Sequence, residues 1–355
     1  MADIFFLKLL DKILGRIVCA IIPSPQFYTL DSLHNLILIR PGGIGDAVLL
    51  SSTINSLKAN YPDIRITILA EQRNAGVLSL IPGVDHVLRY DIPREFIQAL
   101  SGKYDVVIDS EQWYRLSAVV AWMVRAPVKI GFNTNERRRM FTHCVQYDPI
   151  AYELDNFQAL LKPLGVDYQD ARAFTLTVPT QATSTANQLL HGLESFVAVF
   201  PGASTTEKRW GADKFRQVVE TLSVLGIKIV VVGGKEDRQQ GELIVGGGVG
   251  LSLAGMTSLA ETAAVVQKST LLVSGDSGVL HIAAGLGVPT VSLFGPGRVK
   301  KWAPRGEQHI VINKELPCSP CTVFGNTPPC PHNIRCMSDI TVDEVVNAVT
   351  VLLSR

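Results

Sequence analysis

Acidic, basic and hydroxyl side chains follow several glycine-containing turns of this 355-residue chain. The first turn, in RPGGIGDAVLL, places Asp46 after three glycines and before an apolar run. An acid at that point either caps a helix or serves as a general base that takes a proton from a substrate hydroxyl. The turn starts like the GxGxxG fingerprint at Gly43 and Gly45 but has Val48 at the third glycine position, which disfavours a dinucleotide.

A second turn, in FPGASTTEKRW, combines hydroxyl groups with a cation. Ser204, Thr205 and the neighbouring backbone amides precede Lys208, and such a set suits the oxygens of a diphosphate. The turn lacks the GxxxxGK[ST] pattern of a Walker loop. Two interpretations follow, a diphosphate site and a solvated basic turn.

A third turn, in VSGDSGVLHIAAG, lies where a strand-like run changes to a helix-like one. Asp276, Ser277 and Gly278 stand at the change, and His281 follows one helical turn later. Ser277 and the unpaired amides of a helix start suit a phosphate oxygen. The alternative makes Asp276 a cap and His281 a packing residue. A Ser-His-Asp hydrolase is disfavoured because the GxSxG motif is absent.

Glu236, in VVGGKEDRQQ, follows the end of another strand-like run. Acids in this position accept hydrogen bonds from ribose hydroxyls in nucleotide sites. The alternative is an ordinary acid in the first turn of a helix.

These turns belong to two halves of the chain with the same pattern of elements. Apolar runs such as LILIR, IRITILA and YDVVIDS, and later FVAVF, IKIVVV and PTVSLF, alternate with amphipathic segments. Strands that are apolar throughout and separated by helices predict parallel sheets covered on both faces. The predicted fold class is therefore α/β, with two Rossmann-like domains facing across a cleft and ligands outside the carboxyl ends of the strands.

The composition agrees with a large core and gives no reason to expect nucleic acid as a partner. Hydrophobic residues make up 47% and charged residues 18% of the chain. Lys and Arg total 33 against 32 Asp and Glu, so the net charge of +1 provides no general field for nucleic acid. We predict a helical extension over residues 1–30, one Rossmann-like domain over 31–175 and a second over 176–355.

The N-terminal segment MADIFFLKLLDKILGRIVCAII carries apolar residues at helical spacing. They are Phe5, Phe6, Leu9, Leu10, Ile13, Leu14 and Ile17, whereas Lys8, Asp11, Lys12 and Arg16 share the other face. The apolar run is too short to span a membrane and too interrupted for a secretory signal. The helix either docks on the body of the protein or lies in a membrane interface. The expected location is the cytoplasm, with the inner face of the cytoplasmic membrane as the site of any peripheral contact.

Four of the six cysteines lie in CSPCTVFGNTPPCPHNIRC. Cys318, Cys321, Cys330 and Cys336 have the spacing C-x2-C-x8-C-x5-C, and the short first pair is typical of zinc or iron–sulfur ligation. The remaining spacing departs from common zinc patterns. Two interpretations stay open, a structural metal site and reduced thiols that pack a loop.

Taken in order, RPGGIGDAVLL, FPGASTTEKRW, VSGDSGVLHIAAGLGVPTVSLFGP and the cysteine segment resemble glycosyltransferase family 9, the ADP-heptose:lipopolysaccharide heptosyltransferases. The resemblance extends from about Asn35 to the C-terminus. It implies the GT-B fold, with an acceptor domain over 31–175 and a nucleotide-sugar donor domain over 176–355. It also implies inverting transfer of heptose from ADP-heptose to an inner-core lipopolysaccharide acceptor, with no metal or other cofactor in catalysis.

The same resemblance implies a role for each candidate residue. Asp46 matches the proposed catalytic base, and Gly43 and Gly45 let the acceptor approach the backbone. The implied donor-binding residues are Ser204, Thr205 and Lys208 for the diphosphate, Glu236 for the ribose, Met256 and Thr257 for the adenine, and Asp276, Ser277, Gly278 and His281 beside the phosphates and the sugar.

Arg137, Arg138 and Arg139, in NTNERRRMFT, are candidates for acceptor binding. Arginine forks suit the carboxylates and phosphates of a lipopolysaccharide core, and the alternative is a solvated basic loop. Two other functions stay open, transfer from another nucleotide sugar and nucleotide binding without catalysis. An NAD-dependent oxidoreductase is a further, disfavoured interpretation.

Overall fold

The computed structural model describes residues 10–30, 32–166 and 175–355. The chain divides into two compact units, Met1–Thr175 and Leu176–Arg355. Each unit contains one six-stranded sheet, and the paired strands of both sheets run parallel. The α/β class with two Rossmann-like parallel sheets is therefore confirmed.

The first unit has the strand order of a doubly wound fold. Its strands are β1 (Asn35–Arg40), β2 (Arg65–Ala70), β3 (His86–Arg89), β4 (Val106–Asp109), β5 (Val128–Phe132) and β6 (His143–Val145). They lie in the order β3-β2-β1-β4-β5-β6. Its α-helices are α1 (Arg16–Ile21), α2 (Ile44–Leu49), α3 (Ser51–Asn60), α4 (Gln72–Leu78), α5 (Pro93–Ser101), α6 (Arg115–Met123) and α7 (Glu153–Ala159). A π-helical turn, Asp11–Gly15, precedes α1, and 3-10 turns occupy Glu136–Met140 and Lys162–Leu164.

The second unit repeats this order with its own strands. They are β7 (Val197–Phe200), β8 (Ile229–Val231), β9 (Leu251–Ser252), β10 (Leu271–Gly275), β11 (Thr290–Phe294) and β12 (His309–Asn313), in the order β12-β11-β10-β7-β8-β9. Its α-helices are α8 (Thr180–Leu190), α9 (Ala212–Val224), α10 (Arg238–Ile244), α11 (Leu259–Lys268), α12 (Gly278–Gly285), α13 (Val299–Trp302), α14 (Arg335–Ser338) and α15 (Val342–Leu353). Short 3-10 turns occupy Thr206–Lys208 and Lys235–Asp237.

Burial on both faces explains why the central strands are apolar throughout. In β7, Val197 and Val199 join one hydrophobic cluster, whereas Ala198 between them joins another. Successive side chains of a strand point to opposite faces, so the two clusters cover the two faces of the sheet. The C-terminal helix α15 contributes Val345 and Val349 to the first cluster, which places it in the second unit.

The short edge strands did not follow from the apolar runs. β6 consists of three residues, HCV, and β9 of two residues, LS. Strands this short carry too few side chains to show a period in the sequence.

The N-terminal extension packs on the first unit through a face that the apolar pattern did not indicate. Asp11, Gly15 and Cys19 are buried, whereas Ile13 and Ile17 of the predicted apolar face are exposed. Phe5, Phe6 and Leu9 lie outside the described residues. Within the described ranges, no helix has the length and apolar character needed to cross a membrane.

Candidate active site

The topology creates one switch point in each unit, which is the gap between two neighbouring strands whose connections leave to opposite sides. Ligands of open α/β sheets bind at such gaps, outside the carboxyl ends of the strands. The switch point of the first unit lies between β1 and β4, and that of the second lies between β7 and β10. Asp46 follows β1, Lys208 follows β7 and Asp276 follows β10. These three predicted site residues therefore lie at the two switch points.

Asp46 lies in the first turn of α2, directly after the loop that leaves β1. Gly43 is the N-cap residue, so the interpretation of Asp46 as the helix cap is wrong. A Cβ atom on Gly43 would lie 2.8 Å from Asp46 Oδ2, closer than real Cβ contacts. The absence of a side chain at this position therefore gives the carboxylate room beside the loop.

Two buried donors approach the same oxygen of Asp46. Gln112 Nε2 donates to Asp46 Oδ1 at 3.3 Å, and Arg40 Nη2 lies 3.8 Å from it. The Arg40 side chain is almost completely buried, whereas 21% of the Asp46 side chain is exposed. Asp46 is thus oriented by the protein while its carboxylate still reaches solvent.

Arg40 belongs to a buried network of charges. Its guanidinium donates to the carbonyls of Ser110 at 2.9 Å and Pro41 at 2.7 Å, and Nη2 lies 3.3 Å from Glu111 Oε2. Burial by itself lowers the pKa of Arg40, but the carboxylates of Asp46 and Glu111 outweigh it and raise this pKa. Burial raises the pKa of Glu111. Arg40 is therefore a permanent cation beside the candidate base.

Gln112 connects Asp46 to a second buried carboxylate. Its Nε2 donates to Glu153 Oε1 at 2.6 Å, and Tyr147 Oη donates to Glu153 Oε2 at 3.1 Å. Burial, together with the charge of Glu153, raises the pKa of Tyr147, so its hydroxyl stays protonated and remains a donor. Because Glu153 accepts one hydrogen of the Gln112 amide, the other hydrogen is directed at Asp46.

Arg137 is fully buried, which corrects its predicted role in acceptor binding. Its guanidinium pairs with Asp109 and donates to the Glu111 carbonyl. A buried pair of this kind is structural, since removal of one partner leaves an uncompensated charge. Arg138 and Arg139 are exposed, and their role in acceptor binding stays a prediction.

In the second unit, Lys208 and Asp276 form an ion pair across the switch point. Lys208 Nζ lies 2.6 Å from Asp276 Oδ2, and both side chains are largely buried. A Cβ atom on Gly297 would overlap Asp276 Oδ2, so this glycine makes room for the pair. The Lys208 ammonium has three donors, and the pair leaves it able to donate to an anion as well.

Ser277, rather than Asp276, caps the helix that follows β10. Its hydroxyl accepts a hydrogen bond from the Leu280 amide at 3.3 Å and lies 2.8 Å from Ser274 Oγ. Gly278 begins α12 after this cap. His281 is only 2% exposed, which fits the packing interpretation of this residue, and its role in donor binding stays a prediction.

The other donor candidates lie in the loops that follow β7 and β9. Ser204 and Met256 are exposed. Thr205 Oγ1 is buried and, among the described residues, has no hydrogen-bond partner. Thr257 Oγ1 lies 2.8 Å from Thr262 Oγ1.

Two neighbouring acids follow β8, and only one of them, Glu236, is exposed. Asp237 is buried and accepts a hydrogen bond from the Gly234 amide at 3.0 Å. Burial raises the pKa of Asp237. Glu236 is exposed, so the neighbouring acid takes the structural role and the Glu236 carboxylate is available to a ligand.

The residues that hold Asp46 were not among the predicted site residues. Glu111 and Gln112 follow β4 in YDVVIDSEQW, and this polar run after an apolar strand was a usable signal. The run lies beside Asp46 only because β4 pairs with β1, and the strand order of the sheet decides this pairing. Glu153 lies in α7, far along the chain, and no local pattern connected it to Asp46.

The four clustered cysteines are free thiols. Cys330 Sγ accepts hydrogen bonds from the amides of His332 and Ile334, each at 3.4 Å. Burial raises the pKa values of Cys321 and Cys336. Throughout the part of the chain that the structure describes, no three His, Cys, Asp or Glu side chains are grouped to hold a metal ion. The geometry therefore does not fit the metal-site interpretation of these cysteines.

Comparison with known proteins assigns the chain to a class of sugar-transferring enzymes. The profile of glycosyltransferase family 9 (heptosyltransferase) matches residues 94–330, which is more than half of the chain. Lipopolysaccharide heptosyltransferase 3 of Escherichia coli is 28% identical over 287 residues, which are 73% of this chain and 83% of that protein. The chain therefore belongs to glycosyltransferase family 9, and the predicted family and enzyme class are confirmed.

Solved structures show the same fold. A glycosyltransferase family 9 structure from Veillonella parvula is similar with a TM-score of 0.77 and 23% identity, covering 92% of this chain and 99% of that chain. The ADP-heptose lipopolysaccharide heptosyltransferase II of Escherichia coli is similar with a TM-score of 0.76 and 22% identity, covering 90% and 98%. These likenesses confirm the predicted GT-B fold.

Proposed function

We propose that this protein transfers heptose from ADP-heptose to an inner-core lipopolysaccharide acceptor, with inversion and without a metal ion. The observation that carries the proposal is Asp46, which is held by Gln112 and Arg40 at the switch point of a chain that belongs to a heptosyltransferase family. A carboxylate with buried supports and an open side suits a general base.

The chemistry assigns one task to each switch point. An acceptor hydroxyl oxygen forms a bond to the anomeric carbon of the heptose while the bond from that carbon to the diphosphate breaks on the opposite face. The hydroxyl proton passes to Asp46. ADP leaves with the bonding electron pair, and Lys208 offsets the negative charge that develops on its phosphate oxygens. Residues 31–175 are then the acceptor domain and residues 176–355 the donor domain.

Two observations support the choice of donor, one from the relatives and one from the second unit. The similar Escherichia coli structure is by its own name an ADP-heptose enzyme. In this chain, Lys208 and Ser277 would bind the diphosphate, and the exposed Glu236 would accept hydrogen bonds from the ribose. The exposed Met256 would cover the adenine. The lipid-anchored acceptor would be met at the inner face of the cytoplasmic membrane.

A screen of nucleotide sugars tests the proposal. We expect ADP-heptose and ADP to raise the melting temperature more than UDP- and GDP-sugars do, because the site is proposed to select adenine. Transfer of heptose to truncated core acceptors should then release ADP, and excess chelator should leave the rate unchanged. Equal stabilisation by all nucleotide sugars would contradict the donor assignment, and stabilisation without transfer would indicate nucleotide binding without catalysis.

A further inference from the structure

The N-terminal helical segment, residues 11–21, is fastened to the first unit by its polar and small side chains. Asp11 Oδ1 accepts hydrogen bonds from the amides of Arg115 at 2.6 Å and Leu116 at 2.8 Å, which are the free amides at the start of α6. A Cβ atom on Gly15 would lie 3.0 Å from Arg115 Cβ, so a glycine permits this close approach. Cys19, one turn later, is fully buried. These contacts fix the rotation of the helical segment about its axis.

The fixed rotation turns the aliphatic face of the segment to solvent. We call Ile13, Leu14, Ile17 and Ile21 the Ile13 stripe. Their exposed fractions are 51%, 48%, 49% and 75%, respectively. Positions 13, 17 and 21 are four residues apart and therefore lie on one line along the helix, opposite the docked line at 11, 15 and 19. The apolar periodicity that would normally mark a core-facing side here marks an outward-facing one.

Cations border the Ile13 stripe. Lys12 and Arg16 are exposed and lie one helical turn apart, so they form a row next to the stripe. Arg139 extends this row because its Nη1 donates to the Ala20 carbonyl at 2.8 Å. The acid on this side, Glu136, is neutralised by ion pairs with Arg16 at 3.1 Å and Arg115 at 2.6 Å. Because Arg16 is paired with Glu136, the excess positive charge beside the aliphatic stripe comes from Lys12 and Arg139.

We propose that the Ile13 stripe is a docking surface for an anionic phospholipid membrane, with the helical segment lying parallel to the bilayer. Aliphatic side chains would enter the boundary between headgroups and acyl chains, and the cationic row would contact lipid phosphates. The row of cations favours a lipid surface over a second copy of the chain, which would bring like charges together. The proposal rests on the proposed function only in that an acceptor with a lipid anchor requires the enzyme at a membrane.

Vesicle co-sedimentation of the full-length protein tests this surface. Vesicles of phosphatidylglycerol and phosphatidylethanolamine should bind the wild type, whereas vesicles of phosphatidylcholine alone should bind it about tenfold less, because the cationic row loses its anionic partner. The variant Ile13→Gln/Leu14→Gln/Ile17→Gln should lose at least about tenfold in binding to the anionic vesicles. Glutamine is a good helix former, so the change removes the apolar surface and keeps the helix.

A matched control comes from the second unit, where Val224, Leu225 and Leu243 are similarly exposed. The variant Val224→Gln/Leu225→Gln/Leu243→Gln should bind anionic vesicles as the wild type does. The proposal is overturned if the stripe variant binds as well as the wild type, if the wild type binds no vesicles, or if the stripe variant instead converts a dimer in solution to a monomer.

Activity on a lipid-free core acceptor separates this proposal from the proposed function. The stripe variant should transfer heptose to that acceptor at the wild-type rate, since its substitutions lie outside the switch points. A wild type that binds vesicles through the stripe but transfers no heptose would contradict the function and leave the docking surface supported. Transfer of heptose without stripe-dependent vesicle binding would support the proposed function and contradict the docking surface.

Discussion

The two units share one strand order but place different chemistry at their switch points. In the first unit, Asp46 stands before a buried network in which Arg40 pairs with Glu111. In the second unit, the corresponding gap holds the ion pair of Lys208 and Asp276. The same topology thus places an acid held by Gln112 and Arg40 in one unit and a cation held by Asp276 in the other.

This difference shows that the buried residues behind a switch point decide whether the accessible side chain there is negatively or positively charged. Arg40 is enclosed, with its donors used by carbonyls and carboxylates, so Asp46 is the group that reaches solvent. Lys208 is held by Asp276, yet its ammonium retains donors for an anion. A proton acceptor and a cation beside the diphosphate are the two parts that the proposed transfer requires.

The strongest test of the comparison is Asp46→Asn. We expect the rate of heptose transfer to fall about a thousandfold, because the amide cannot accept the proton of the acceptor hydroxyl. ADP affinity, measured by calorimetry, should stay at the wild-type value. Asp63→Asn, which changes an exposed acid of the same unit, is the control and should leave both quantities unchanged. Near-normal turnover of Asp46→Asn would rule out this residue as the base.

Lys208→Met tests the other side of the comparison. We expect ADP affinity to fall about tenfold to a hundredfold, since a hydrogen bond to a charged group contributes about 1.5–3 kcal/mol. Transfer should fall with it, in contrast to Asp46→Asn, which should spare ADP binding. Lys228→Met, at an exposed lysine of the same unit, should bind ADP normally. Unchanged ADP affinity in Lys208→Met would remove Lys208 from the donor site.

Two glycine substitutions provide the finest test. In Gly43→Ala, the new Cβ would meet the Asp46 carboxylate, and in Gly297→Ala it would meet the Asp276 carboxylate. We expect Gly43→Ala to slow transfer about tenfold at unchanged ADP affinity, and Gly297→Ala to weaken ADP binding about tenfold, since small displacements of such groups are costly. Kinetics and calorimetry on both variants check this, and identical effects in the two variants would contradict the division of tasks.

The sequence predicted much of the fold because the central strands are buried on both faces. Runs such as LILI and FVAVF are apolar throughout, and the structure confirms that they lie in β1 and β7. The glycine-containing turns after these strands likewise indicated where polar groups gather. The edge strands β6 and β9 were missed because two or three residues show no period.

The site was predicted unevenly for a related reason. Asp46, Lys208 and Asp276 lie in or next to turns that the sequence marks by glycines after an apolar run. Arg137 stands in an equally polar stretch, yet it is fully buried against Asp109. A run of three arginines carries no information about which of them turns inward, because that depends on a carboxylate from a distant strand.

The sequence by itself determined the two-domain parallel α/β architecture, the family and the turns that carry the candidate chemistry, because these depend on local pattern and chain order. Only the tertiary structure decided which side chains support Asp46, that Lys208 pairs with Asp276, and that the Ile13 stripe faces outward. Each of these depends on contacts between residues far apart in the chain, such as Asp11 with the start of α6. Local periodicity shows that a helix has an apolar side, and long-range contacts decide where that side points.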